Sequence, residues 1–319
     1  MAACGRRRTS AGSTATLTLF AQLETSDFEV VIERLRATDA IVRLYVPDSP
    51  VAEQAAKDAE VLRDVLADAL ASNHPDTIGS ITDSQYRSVR TFLSNFESVY
   101  ALNYDLLLYW ATMKDEDDFD VPKGDGFRAD PDDPDATWVT WDMAQSWSQE
   151  IHYIHGALHL FDAGSRLKKL TWVRTGIALV DQIRDQLAER SYPLVVTEGT
   201  STDKKDKILH SAYLSKAFRS FSALGGNQDL FIYGHSLAES DEHILDAIVR
   251  GKIRRIFVSV YGDPDTAENK TLIERAFLLA ERRANVVAET NRRTAKELYV
   301  AFYDAGSAEV WDLAPGTAP

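Results

Sequence analysis

Three short runs, far apart in the chain, each join a strand-like apolar segment to a polar end. Ser98–Asp105 reads Ser-Val-Tyr-Ala-Leu-Asn-Tyr-Asp, Ile151–Gly156 reads Ile-His-Tyr-Ile-His-Gly, and Asp229–Asp241 reads Asp-Leu-Phe-Ile-Tyr-Gly-His-Ser-Leu-Ala-Glu-Ser-Asp. Open α/β sheets bind ligands beyond the carboxyl ends of their strands, and all three runs carry their polar residues at that end. Helical patterns lie between the runs. Ile256–Tyr261 is almost continuously apolar, as a strand covered on both faces should be. The alternation predicts an α/β fold: a Rossmann-like, doubly wound, mostly parallel sheet with an N-terminal helical subdomain.

The predicted organisation is a disordered or misplaced N-terminus over 1–22 and a single α/β domain over 23–319. Residues 23–96 form its helical part and 114–147 an acidic insertion. The first 23 residues contain no acidic side chain but include Arg6, Arg7 and Arg8. Ser26 and Glu29 suit a capping box before a helix with Phe28, Ile32 and Leu35 on its apolar face. Ile41–Val46 reads as a short strand, and Pro50 opens a second helix. A third helix spans 83–96 and buries Tyr86, Val89, Phe92 and Leu93. Lys114–Asp135 holds ten acidic and three basic residues, half of the whole net charge of −14, and reads as an exposed loop. Within it, Phe127 is a candidate lid residue over a bound base. Asp162–Ser165 marks a hairpin turn, Pro193–Thr197 a strand, 208–221 a helix and 266–284 a long helix. Val300–Tyr303 and Glu309–Leu313 suit a last edge hairpin.

The charge argues against a general nucleic-acid binder and against anionic membrane surfaces. A single cysteine, Cys4, excludes an internal disulfide and any multi-cysteine zinc site. That usage, without an apolar stretch of membrane-span length, predicts a cytoplasmic protein. The sequence identifies neither an oligomeric state nor a regulatory protein partner.

The ordered polar ends resemble those of the sirtuin-like superfamily, which cleaves the nicotinamide–ribose bond of NAD. That superfamily carries an Asn-x-Asp, a His-Gly and a Gly-x-Ser after successive strands. Here these match Asn103 and Asp105, His155 and Gly156, and Gly234 and Ser236. More closely, Leu93–Trp110, Gly124–Phe127, Tyr153–Phe161, Val195–Ser201 and Leu230–Leu245 are similar to an uncharacterised bacterial branch, a domain of unknown function. The likeness spans about residues 23–262. It implies NAD as substrate, no metal, and a nicotinamide-releasing activity suited to antiphage defence by NAD depletion. Asn103 would hold a ribose hydroxyl or water, and His155 would act as general base. Asp105, Gly156, Gly234, Ser236, Asp241 and Phe127 would contact the cofactor, with Asp241 either at an adenosine ribose or capping the next helix. The family's first strand and glycine-rich pyrophosphate loop are missing; only Gly5 and Gly12 precede the first helix. Weak NAD binding is therefore expected.

Other readings stand beside this one. The domain could be a degenerate one that binds a nucleotide or protein without turnover. Gly234-His-Ser-Leu resembles the nucleophile elbow of a serine hydrolase, with Ser236 as nucleophile, but Ala238 replaces the closing glycine. His152, His155 and His159 would share a metal only on a helix; on a strand His152 and His155 face opposite ways. Gly199-Thr200-Ser201, with Lys204, Lys205 and Lys207, is a weak phosphate-loop candidate without the Walker spacing.

Overall fold

A computed structural model describes residues 14–23, 28–72, 75, 77–114, 120–143, 148–164, 166–189, 191–196, 200–290 and 296–311. The chain divides into two compact units, residues 1–75 with 184–192, and residues 76–183 with 193–319.

The first unit is built on helices α1 (Thr14–Gln22), α2 (Phe28–Tyr45) and α3 (Pro50–Ser72). Val31, Ile32 and Leu35 of α2 close a core against Ala55, Ala59 and Leu62 of α3. Leu19, Phe20 and Leu23 pack onto it, so Thr14–Gln22 is helical where disorder was expected. Apolar burial orders that stretch. Residues 1–13, including Gly5 and Gly12, lie outside the described residues, as does Ser26 of the expected capping box. Ile41–Val46 is not a strand, because α2 runs on to Tyr45. Extending a formed helix adds a hydrogen bond per residue, and the Arg43–Asp39 pair one turn apart supports the extension. The predicted helical part stops earlier than residue 96, since α4 (Asp83–Leu93) belongs to the second unit.

The second unit is mixed α/β. Its elements run α4, β1 (Val99–Ala101), α5 (Leu107–Met113), β2 (Phe127–Ala129), β3 (Trp138–Trp141), β4 (Ile151–Tyr153), β5 (Gly156–Asp162) and β6 (Leu167–Leu170). Then follow α6 (Leu179–Ala188, counted with the first unit from Arg184 on), β7 (Pro193–Val195), α7 (Ser201–His210), α8 (Ala212–Ser222), β8 (Asp229–Ile232), α9 (Glu242–Arg250), β9 (Arg255–Val260), α10 (Ala267–Thr290) and β10 (Tyr299–Asp304). Strand β1 pairs in parallel with β4, and β10-β9-β8 form a parallel three-stranded sheet. A third sheet, β2-β3-β6-β5-β7, is antiparallel throughout.

The antiparallel sheet corrects the expectation of a mostly parallel arrangement. β5 and β6 pair as the expected hairpin, closed by the Ala163 amide donating to the Arg166 carbonyl, with Ser165 outside the described residues, but the acidic insertion adds two more strands to it. Trp138 and Val139 of β3 pair with Leu170 and Lys169 of β6, which lets Lys168 lie over the Trp138 ring. Likewise, 309–311 is a turn, and β10 pairs in parallel with β9 through Val300 opposite Ile256. The intervening α10 is a crossover helix, which returns the chain parallel. Arg283 on α10, almost fully buried, donates to the carbonyls of Ile248 and Val249 at the end of α9 and to Lys296. It thereby satisfies carbonyls that a helix end leaves without partners.

Strand β4 turns into β5 within two residues, and Gly156 makes that reversal possible. Its φ is +76°, and a Cβ there would lie 1.8 Å from the Leu194 carbonyl oxygen on β7. Gly164, at φ +80°, has open space around it. Gly164→Ala should therefore lose only conformational energy, about 1–2 kcal/mol. Gly156→Ala should lose clearly more, since a backbone clash adds to the same strain. Urea unfolding of both variants checks this; equal losses would contradict it.

Candidate functional site

The loops that follow β1, β4 and β8 carry the residues singled out in the sequence. Parallel pairing sets Ala101 opposite Tyr153, so β1 and β4 end side by side. Beyond that point, the Ile154 amide donates to the Ala101 carbonyl at 3.0 Å and Leu158 to the Tyr104 carbonyl at 2.8 Å. Asn103 and His155 thus stand in adjoining loops at the carboxyl edge of one parallel pair. Asn103 is exposed and His155 buried.

The β8–α9 connection meets the same point. His155 Nε2 lies 3.0 Å from His243 Nε2 on α9. His243 Nδ1 lies 3.1 Å from the Ser201 hydroxyl, which also accepts the His243 backbone N–H at 2.7 Å. Thr200 caps α7 through its side chain, which fixes Ser201 on the first turn. Asp241 sits between Lys204 Nζ at 2.9 Å and His235 Nε2 at 3.2 Å. The Leu237 amide donates to His235 Nδ1 at 2.9 Å. That nitrogen must be bare, so a neutral His235 carries its proton on Nε2 and donates to Asp241.

The electrostatics follow from the dryness of the site. Burial pushes His155 down to about 4, with His243 adding to the shift and Asp241 opposing it. Burial likewise pushes His243 down to about 4, against the pull of Asp241. Both rings are neutral at pH 7. For Asp241, burial works against ionisation, but the hydrogen bonds from His235 and Lys204, with the lysine charge, hold its carboxyl well below the usual carboxylate range.

Several expected roles change. The Asp105 carboxylate accepts the Leu107 amide at 2.8 Å, a local turn bond that leads into α5. Gly156 makes room for the Leu194 carbonyl. Asp241 makes no side-chain cap to α9 and pairs with Lys204 instead. Phe127 is no lid: it lies in the core on β2, tilted against Tyr213, with the Lys169 ammonium 5.2 Å from its ring. The turn before it is anchored by Glu150, whose carboxylate accepts the Lys123 and Gly124 amides, and by the buried Asp125–Lys169 pair. Gly234 keeps φ +67° with nothing around it, and its amide donates to Ser259.

Ser236 does not form a nucleophile elbow. An elbow strains the serine itself at a strand-to-helix turn, whereas here the left-handed residue is Leu237 (φ 50°) and α9 begins only at Glu242. Arg275 donates to the Ser236 carbonyl, and His243 is engaged by His155 and Ser201. The three histidines near β4 also diverge. His152 stacks on Tyr100, and His159 sits buried between Tyr109 and Tyr153.

Ring nitrogens of His155 and His243 and a carboxylate oxygen of Asp241 lie within 4.8 Å of one another. These donors do not fit a cation. The two Nε2 atoms bond each other, and Asp241 already holds an ammonium, which a divalent ion would have to displace.

Sequence reasoning missed His243 and His235 as site residues, and offered Ser201 and Lys204 only within a weak phosphate-loop candidate. The signal was present in the Ser201–Lys204 spacing, which puts both side chains on one helical face, and in His243, two residues after Asp241. Neither shows its partner without the fold.

Folding stability should record the buried imidazoles. Unfolded, each protonates near 6.5; folded, His152, His155 and His243 protonate near 4 and His159 lower still, burial being the first cause in each. Between those values the unfolded chain holds more protons. Stability is therefore lost as pH falls from 6.5 towards 4, at up to about 1.4 kcal/mol per pH unit for each imidazole. Urea midpoints at pH 7, 6 and 5 should fall in that order, less steeply in His243→Gln. A flat profile would contradict the burial argument.

No curated protein matches this chain. Residues 12–311 match a family described as Domain of unknown function (DUF4917). The match covers nearly the whole sequence, and the chain belongs to that family.

Proposed function

We propose that this protein binds NAD and releases nicotinamide from it, as the sirtuin-like resemblance implies. One observation carries the reading: Asn103 and His155 stand in adjoining loops at the carboxyl edge of the parallel β1–β4 pair, where open α/β sheets place their ligands. Cleavage of an N-glycosidic bond passes through an oxocarbenium-like state, as glycoside hydrolysis does. Asn103 positions a ribose hydroxyl or the attacking water, and neutral His155 receives the proton. Gly234, open on its free side, lets a phosphate or ribose approach the backbone, and Ser236 contacts it there. The proposal includes a Rossmann-like parallel arrangement in which β8–β10 continue from β1. Ring contacts of Phe96 with Phe231 and of Phe92 with Tyr233 support it.

A second reading, nucleotide binding without turnover, draws on Asp105. One oxygen of this expected cofactor contact is already held by the Leu107 amide, which leaves the carboxylate fewer acceptor sites for a ligand.

Nicotinamide release from NAD distinguishes the two. Asn103→Ala and His155→Ala should each lower the rate about a hundredfold or more, and Ser236→Ala should have a smaller effect. Circular dichroism should show all three folded. Unchanged rates in the first two variants would contradict the assignment. A thermal shift with NAD but no nicotinamide from the wild type would establish the second reading.

A further inference from the structure

Ring nitrogens and a hydroxyl run in an unbroken line from His155 to the half-buried Ser201. The separations are 3.0 Å from His155 Nε2 to His243 Nε2 and 3.1 Å from His243 Nδ1 to Ser201 Oγ. Both fall within ordinary hydrogen-bond range. We propose that His155, His243 and Ser201 form a proton relay that carries a proton from His155 Nδ1 to the Ser201 hydroxyl and out to solvent. The inference rests on His155 as the base that receives the substrate proton.

Two facing Nε2 atoms at hydrogen-bond distance share one proton between them when both rings are neutral. In one arrangement His155 holds it, His155 Nδ1 is bare, and His243 donates its Nδ1–H to Ser201. In the other the Ser201 hydroxyl donates to His243 Nδ1, His243 donates its Nε2–H to His155, and His155 Nδ1 carries hydrogen. Ser201 can serve both, because one lone pair takes the His243 amide and its remaining lone pair or its proton meets Nδ1.

The step moves the chain from the first arrangement to the second. A substrate O–H bond breaks, its electron pair stays on oxygen, and the proton joins His155 Nδ1. The His155 Nε2 proton passes to His243 Nε2, the His243 Nδ1 proton passes to Ser201 Oγ, and the original Ser201 proton leaves to water. Each side chain ends neutral, with its proton count unchanged.

The surroundings favour this route over storing the charge. Burial penalises an imidazolium at either ring. Of the charged neighbours, Asp241 favours it, while Lys204 opposes it at both rings and Lys205 opposes it at His243. A base that must hold its proton would work against that balance, whereas a relay never forms the cation. Lys204 and Asp241 neutralise one another beside the chain and donate nothing into it.

The test is read on the free protein and does not depend on NAD. Histidine rings labelled with ¹⁵N, observed by long-range ¹H–¹⁵N correlation at pH 7, report which nitrogens carry hydrogen. His155→Gln and His243→Gln assign the signals. The expected result is two neutral rings with complementary Nε2 states, one protonated and one bare, or their exchange average. Ser201→Ala should shift the ring nitrogens of His155 as well as His243, although His155 does not touch Ser201, and Ser201→Thr should restore them. Matching Nε2 states, a charged ring at pH 7, or a Ser201→Ala effect confined to His243 would overturn the relay. If Ser201→Ala does not fold, the wild-type pattern and Ser201→Thr still decide. With nicotinamide release as a second readout, Ser201→Ala should lower kcat at least tenfold and leave KM for NAD within about twofold. Wild-type inactivity with intact complementary tautomers would remove the NAD reading and keep the relay.

Discussion

Everything at the candidate site hangs on the reversal at Gly156. A parallel strand ends at Tyr153, and an antiparallel one begins three residues later. The join must fit beneath the Leu194 carbonyl of β7, where a side-chain carbon would sit 1.8 Å from oxygen. A left-handed residue without a Cβ is the one solution that needs no displacement of β7. The turn carries the buried His155, pinned by the Val196 amide donating to its carbonyl at 2.8 Å. The glycine therefore serves the site by fixing where the neighbouring imidazole stands.

From that turn the local chemistry follows. A buried imidazole facing a second buried imidazole stays neutral, because burial removes the water that would solvate the cation. The adjacent Lys204–Asp241–His235 group is the charged counterpart. Its carboxylate stays ionised only because an ammonium and an imidazole N–H donate to it. Removing Lys204 would leave a half-buried carboxylate short of its main partner, so the lysine belongs to the support of the site. Neutral relay and paired ions lie side by side, both reached from the β8–α9 connection.

Much of the fold was legible from periodicity. The helix opened by Pro50, the strands at Leu230 and Ile256, the Asp162–Ser165 hairpin and the long α10 all follow the apolar patterns that predicted them. The antiparallel sheet was hidden for a physical reason. Trp138–Trp141 lies in a segment whose charge reads as solvated loop, and the ion pairs that neutralise it, Lys169 with Asp125 and Arg166 with Asp130, come from β6 and its turn. The placing of Asn103 and His155 in adjoining loops could be anticipated, since it depends only on the parallel direction of β1 and β4. The roles of Gly156 and Phe127 could not, because a backbone clash and a core ring are each set by a partner distant in sequence, whereas the Asp105 bond reaches only to Leu107 and was open to a local reading. The pairing of His243 with Ser201 was hidden on the same ground: their hydrogen bond spans 42 residues.

The central claim is that the loops after β1, β4 and β8 form one ligand site. Hydrogen–deuterium exchange with millimolar NAD tests it most directly, because it locates binding without requiring turnover. The account predicts slowed exchange in amides of 102–106, 154–157 and 233–241, with the antiparallel sheet unchanged. Protection confined to another surface, or none at saturating NAD, would contradict it.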